Sequence, residues 1–114
     1  MTLTSIDTVV LPTQAITNLS TGGNDISAYH KGSYQVVYDY SGGGTAAGTI
    51  QLQTSDDNVN WVNYPSGSVA FTSSSTSDMF EFTSIGIKYA RLTVTVSTGS
   101  GGNITINAHF LRED

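Results

Sequence analysis

Five consecutive residues between two strand-like segments carry the oxygen atoms best spaced to hold a metal ion. The segment Asp56-Asp57-Asn58-Val59-Asn60 places oxygen-bearing side chains at alternate positions, as calcium-binding loops do. It lacks the glycine and the distal glutamate of an EF-hand loop. Short polar side chains also favour tight turns, because they bond to nearby backbone groups. We therefore predict a hairpin turn here and no metal site.

The two histidines are the other candidates for chemistry. His30 lies in a predicted loop, and His109 falls on the polar side of the last predicted strand. Either imidazole could serve as a base towards a serine hydroxyl, but no motif selects one of the many serines. We therefore predict no catalytic residues, no cofactor and a protein that is not an enzyme.

Aromatic side chains are the candidates for binding. Rings exposed together could stack on sugars, whereas tyrosines are also frequent at core edges and subunit interfaces, and we favour this second interpretation. The candidates are the six tyrosines, of which we single out as ligand or interface residues Tyr29, Tyr38, Tyr40, Tyr64 and Tyr89. Arg91 lies beside Tyr89 on the outward face of a predicted strand. We expect it to pair with an acidic neighbour such as Asp39 or Glu81.

The composition excludes several classes of function. The 114 residues suffice for one domain with its own core, and the absence of cysteine excludes disulfides and thiolate metal sites. Only four basic residues accompany a net charge of −5, so no basic patch is available for nucleic acid. The N-terminus does not resemble a secretory signal, and no apolar run approaches the roughly 20 residues of a membrane helix. We expect neither nucleic acid nor membrane as a partner.

The elements that must position these residues are strands. Apolar and polar residues alternate over residues 34–40, 79–82, 89–96 and 104–110, and Gly, Ser, Thr and Asn fill the intervals. A further strand is predicted over residues 6–11, ended by Pro12, and a short one over residues 15–19. Residues 64–67 are predicted to form a turn.

The segment from Gly48 to Tyr64 predicts a β-hairpin around which the chain is organised. Ile50 and Leu52 alternate with polar residues before the acidic turn, and a second strand carrying Trp61 follows it. Trp61 is the only tryptophan, and we predict that its large apolar ring anchors the core.

These strands predict an all-β fold, an antiparallel two-sheet β-sandwich of about eight or nine strands with jelly-roll-like topology. Residues 1–12 are predicted to be an N-terminal arm or edge strand that could clip onto a neighbour, and residues 13–114 a single sandwich domain.

Two segments carry a resemblance to a known class of proteins. A strand, a turn with Ser55, Asp57 and Trp61, and a later strand with Tyr89, Arg91 and Leu92 before a glycine-rich tip together resemble small bacteriophage virion proteins. The same pattern is similar to the discoidin or galactose-binding-like jelly roll, but the chain lacks the cysteines that usually close those domains. The resemblance covers roughly the C-terminal two thirds of the chain.

The resemblance implies a structural role in a virion that assembles in the host cytoplasm. The leading hypothesis is a capsid decoration or cement subunit, commonly a homotrimer or larger homo-oligomer, that binds phage capsid or tail proteins. The alternative, drawn from the tyrosines and Trp61, is a carbohydrate-binding module, free or on a tail fibre, that binds a cell-surface glycan through exposed aromatics.

Overall fold

The computed structural model describes residues 3–83 and 86–113, in which nine β-strands and no helix occur. The strands are β1 (Leu3–Ala15), β2 (Leu19–Ser20), β3 (Asn24–Asp25), β4 (Lys31–Asp39), β5 (Ala47–Ser55), β6 (Val62–Phe71), β7 (Ser77–Thr83), β8 (Tyr89–Thr98) and β9 (Asn103–Glu113). Within the described residues there is likewise no helix long and apolar enough to cross a membrane.

The strands form two antiparallel sheets. Sheet I has the order β1-β9-β4-β7, and sheet II has the order β2-β8-β5-β6, with β3 also paired to β8. The molecule is a slab of 46 × 28 × 20 Å. Its thinnest dimension fits two sheets stacked about 10 Å apart with side chains on both outer faces. The predicted two-sheet antiparallel sandwich is confirmed.

The strand order is that of a jelly roll. If β2 and β3 are counted as one interrupted strand, successive strands alternate between the two sheets except at the β5–β6 hairpin. In sheet I the first strand pairs with the last, so residues far apart in sequence become neighbours on one surface.

Period-2 alternation places one face of each long strand in the core. Tyr34, Val36 and Tyr38 of β4 are buried, while Gln35, Val37 and Asp39 between them are exposed. The same alternation holds in β7, β8 and β9, as their patterns predict. A group of aromatic rings joins the sheets, with centroids 5.6 to 6.5 Å apart: Tyr29, Tyr34, Tyr64, Phe82 and Phe110.

Three element boundaries differ from the prediction. Pro12 does not end the first strand, because β1 is an edge strand with register shifts after Val9 and Leu11 that accommodate it. The strand predicted over residues 15–19 is replaced by the two-residue strands β2 and β3. Residues 64–67 do not turn the chain: they form a bulge inside β6, where Ser66 adopts a φ of 58°.

The predicted N-terminal arm, residues 1–12, forms most of β1 where it is described, and Met1 and Thr2 lie outside the described residues. This strand lies at one edge of sheet I and, among the described strands, pairs only with β9. Its role as a clip onto a neighbour stays a prediction.

Candidate functional site

The outer face of sheet I brings together side chains from both ends of the chain. The register places Val9 of β1 beside Asn107 of β9, Asn107 beside Gln35 of β4, and Gln35 beside Met79 of β7. Residues opposite each other in antiparallel strands point to the same side of the sheet. These four residues therefore form one row across the whole sheet, on the side away from the core.

The two ends of the row are exposed apolar side chains. Val9 and Met79 are 56% and 53% exposed, whereas Asn107 between them is half-buried. A shallow depression of about 320 Å³ lies between these two apolar side chains, and Ser33 and Gln35 also line it. Val37 is exposed on the same face. We call this surface, formed by Val9, Val37, Met79, Gln35 and Asn107, the docking face.

A charged row borders the docking face. Asp7, His109, Ser33 and Glu81 lie next to one another on the four strands. The Nδ1 atom of His109 contacts the Oδ1 atom of Asp7, and both side chains are exposed. The pair links the edge strand β1 to β9 on the solvent side.

The order Asp7, His109, Ser33 resembles the acid, base and nucleophile of a hydrolase. Such a triad also requires a hydrogen bond from the serine to the second imidazole nitrogen, and backbone N–H donors aimed at an oxyanion. Among the described residues no hydrogen bond joins Ser33 to His109. Strand β4 is paired on both sides, so the N–H groups next to Ser33 are used by the sheet. The row lacks the geometry for acyl transfer.

The acidic segment forms the turn that the sequence predicts. The Oδ1 atom of Asp57 accepts hydrogen bonds from the Val59 and Asn60 N–H groups at 2.9 and 2.7 Å and from the Ser55 hydroxyl at 3.0 Å. Its Oδ2 atom accepts from the Asn60 amide at 2.7 Å. These hydrogen bonds, led by that from the Asn60 N–H, hold the pKa of Asp57 well below its usual value of 3.8.

The same hydrogen bonds occupy the lone pairs that a cation would need. Within the described residues no three His, Asp or Glu side chains converge where they could hold a metal ion. The segment is a turn closed by its own side chains.

Trp61 does not anchor the core, which corrects the sequence prediction. It precedes β6, is only half-buried, and is not among the core residues. The guanidinium of Arg91 lies over its ring, 4.2 Å from the centroid, on the outer face of sheet II. Arg91 also donates from Nε to Gln53 Oε1 at 2.9 Å, so its observed partners are Trp61 and Gln53 and not Asp39 or Glu81.

The structure does not gather the five tyrosines into a platform. Tyr38 is buried and stacks on Phe71, and Tyr29 and Tyr64 belong to the aromatic group of the core. Tyr40 donates its hydroxyl hydrogen to the Ala46 carbonyl, and Tyr89 is half-buried on the outer face of sheet II. No Tyr, Trp or Phe among the described residues is exposed.

Burial also affects the titration of the tyrosines. The pKa of Tyr34 is raised by burial, and that of Tyr38 is raised by burial and by its hydrogen bond to Asp78.

Sequence reasoning did not assemble the docking face, although apolar side chains on both faces of residues 34–40 indicated a central strand or an outer face in contact with a loop or a neighbouring subunit. Val9, Gln35, Met79 and Asn107 lie in four separate segments, and none belongs to a motif. The available signal was the presence of Val37 and Met79 at positions where the alternation predicts polar side chains.

Comparison with known proteins places the fold among solved structures. No family model matches the sequence, and no curated protein does. The SPBc2 prophage-derived protein YomS superposes with a TM-score of 0.71 at 8% identity, over 97% of this chain and 96% of that one. A protein of the Bacillus endospore appendages, described as disulfide-linked pili, superposes with a TM-score of 0.54 at 13% identity, over 98% and 90% of the two chains.

A chain of infectious bursal disease virus, Gx strain, has a TM-score of 0.46 at 10% identity, over 97% of this chain and 33% of that one. The likenesses to YomS and to the appendage protein show that this chain shares their fold.

Proposed function

We propose that the protein is a non-enzymatic structural component of a bacteriophage particle, most specifically a capsid decoration or cement subunit. The observation that carries the proposal is the docking face, an uncharged surface of sheet I on which Val9, Val37 and Met79 are exposed around amide side chains. Exposed apolar residues grouped on one sheet face are typical of protein interfaces. The particle would be assembled in the host cytoplasm.

The size of the docking face indicates how it would work. The docking face crosses four strands and extends about three residues along them, which gives roughly 200 Å² from strand spacing and rise. A stable interface buries about 800 Å² on each partner. One copy would therefore hold weakly on this face alone, and firm attachment requires several linked copies that bind together.

The structural neighbours support the proposal at the level of the fold. One is a prophage-derived protein, and another belongs to spore appendages described as pili. The fold of this chain is thus shared by a prophage-derived protein and by a protein of spore appendages. The capsid decoration role and a homo-oligomer are our own proposals, and the partner would be a capsid or tail protein.

Binding to particles tests the proposal. We would delete the gene from its phage or prophage, purify the particles, add the protein at micromolar concentration and sediment the mixture. We expect the wild-type protein to co-sediment in saturable amounts. The double variant Val9→Glu, Met79→Glu should lose at least tenfold in affinity, because it places charges in a desolvated contact.

Val62→Glu is the matched control, because Val62 is 65% exposed but lies in sheet II. It should bind as the wild-type protein does. Absence of the protein from sedimented particles at micromolar concentration would count against the particle role, and equal loss of binding in both variants would count against the docking face.

The carbohydrate-binding alternative requires at least two aromatic rings exposed side by side. The half-buried positions of Trp61, Tyr64 and Tyr89 do not favour it. A glycan array probed with the purified protein tests it directly, and saturable binding that is lost in Trp61→Ala would replace the particle role with this one.

A further inference from the structure

The edges of the two sheets are protected to different degrees. Strand β6 is interrupted by the bulge at residues 64–67, which contains Pro65, and β2 and β3 have only two residues each. Strand β7 carries the acidic residues Asp78 and Glu81. Bulges, proline, short length and charge are the devices that keep edge strands from pairing with other chains.

Residues 3–9 of β1 lack most of these devices. They pair with β9 in unbroken register from Leu3–Glu113 to Val9–Asn107, and they contain no lysine, proline or glycine. Their single charge, Asp7, is already in contact with His109 on the neighbouring strand. No described strand pairs with its other edge, so the stretch offers about 23 Å of strand edge for a partner.

We propose that β1 pairs antiparallel with β1 of a second copy of this chain, about a two-fold axis at Ile6. Pairing the whole unbroken stretch with its own copy matches residue 3 with residue 9, and the middle of that stretch is residue 6. A two-fold axis perpendicular to a sheet turns an edge strand antiparallel to itself. It is also the commonest symmetry of soluble oligomers.

The side chains fit this register. Ile6 is 45% exposed although it lies opposite the buried Phe110, and the pairing sets it against Ile6 of the copy. The Ser5 hydroxyl of each copy comes opposite the Asp7 carboxylate of the other, a donor against an acceptor.

Pairing about an axis at Asp7 or Thr8 would be less favourable than pairing about Ile6. An axis at Asp7 opposes two carboxylates, and an axis at Thr8 extends the pairing across the register shift after Val9.

The pairing would also double the docking face. Because the axis is perpendicular to sheet I, both outer faces lie on the same side of a continuous eight-stranded sheet. The dimer would thus present two docking faces, separated by the two charged rows, to one partner surface, and their contacts would add. This consequence rests on the proposed particle role, whereas the pairing itself does not.

Cross-linking tests the register. The chain has no cysteine, so Ile6→Cys introduces one thiol, and Met79→Cys introduces a matched thiol on the opposite edge of sheet I. Side chains opposite each other across an antiparallel pair lie close enough for a disulfide. Under mild oxidation Ile6→Cys should become a covalent dimer at least tenfold faster than Met79→Cys, and equal rates in the two variants would overturn the register.

Molar mass tests the pairing without cysteine. Light scattering and sedimentation of the wild-type protein up to about 100 µM should show the dimer as the main species. Ile6→Lys should weaken dimerisation at least tenfold, because two lysines would meet at the axis, while Val62→Lys in sheet II should not. A monomer at every concentration, or a trimer, would overturn the pairing.

The two proposals fail separately. A wild-type monomer that still binds gene-deleted particles would remove the pairing and leave the particle role. A dimer that binds no particle would remove the particle role and leave the pairing.

Discussion

Hydrogen bonds made by two side chains, Ser55 and Asp57, close the turn between β5 and β6. The Ser55 hydroxyl accepts from the Asp57 and Asn58 N–H groups, and the Asp57 carboxylate accepts four further hydrogen bonds. Asn58 has a φ of 60°, which asparagine tolerates better than most residues. The acidic character of this segment is thus explained by the local backbone it satisfies.

The lowered pKa of Asp57 predicts that this residue stabilises the fold in a pH-dependent way. Its pKa in the folded protein is lowered, so its stabilisation is present above the ordinary value of 3.8 and is lost as the pH falls through the folded pKa. Asp57→Ala should therefore lower the Tm at pH 7, and the difference from the wild-type protein should shrink below about pH 4. Thermal melts from pH 2 to 7 measure this.

Asp56→Ala is the control, because among the described residues the hydrogen bonds of this turn go to the Asp57 carboxylate and not to that of Asp56. Its Tm should stay close to that of the wild-type protein throughout. A constant gap between Asp57→Ala and wild type down to pH 2 would show that the carboxylate charge is not responsible.

At the start of β5, Gly48 leaves no space for a larger side chain. A Cβ atom there would overlap the Thr95 carbonyl oxygen of β8, where the β5–β8 register shifts. Gly48→Ala should cost more than about 3 kcal/mol of unfolding free energy, because backbone must move. Gly42→Ala, with no atom within 4 Å of its Cβ, should cost less than about 1 kcal/mol in the same urea titration.

At the scale of elements, β8 is the strand on which sheet II depends. It pairs with β5 on one side and with β2 and β3 on the other, and Ala90, Leu92 and Val94 of its inner face are buried. The segment between β1 and β2 is also attached to β8, because the Asn18 side chain accepts a hydrogen bond from the Val96 N–H at 2.7 Å.

Leu92→Ala is therefore expected to lower the unfolding free energy by about 2 to 5 kcal/mol, the usual cost of a cavity at a fully buried leucine. Val62→Ala on the edge strand β6 should change it by less than about 0.5 kcal/mol, because Val62 is 65% exposed. Denaturant titrations of both variants provide the comparison, and similar losses would mean that β8 is not the better-packed element.

At the scale of the whole molecule, the topology requires contacts between distant parts of the chain. Strand β1 pairs with β9, so one sheet is complete only when both ends of the chain have met. Such non-local pairing delays folding, because loop closure precedes the contacts that stabilise it.

We therefore expect refolding in milliseconds to seconds, measured by stopped-flow fluorescence of Trp61, and not in microseconds as in helical bundles. Trp61 suits this measurement because its ring meets Arg91 only when the tip of the β5–β6 hairpin has reached β8. Complete recovery of the signal within the dead time of mixing would contradict the expectation.

The sequence by itself determined the strands, their inward faces, the acidic turn and the sandwich, because alternation and turn chemistry act over a few residues. Only the tertiary structure decided the rest. It placed Trp61 under Arg91 outside the core, continued β1 past Pro12 through a bulge, and assembled Val9, Asn107, Gln35 and Met79 into one face. These outcomes depend on which strands lie side by side and in what register, and pairing across the whole chain leaves no local signature in the sequence.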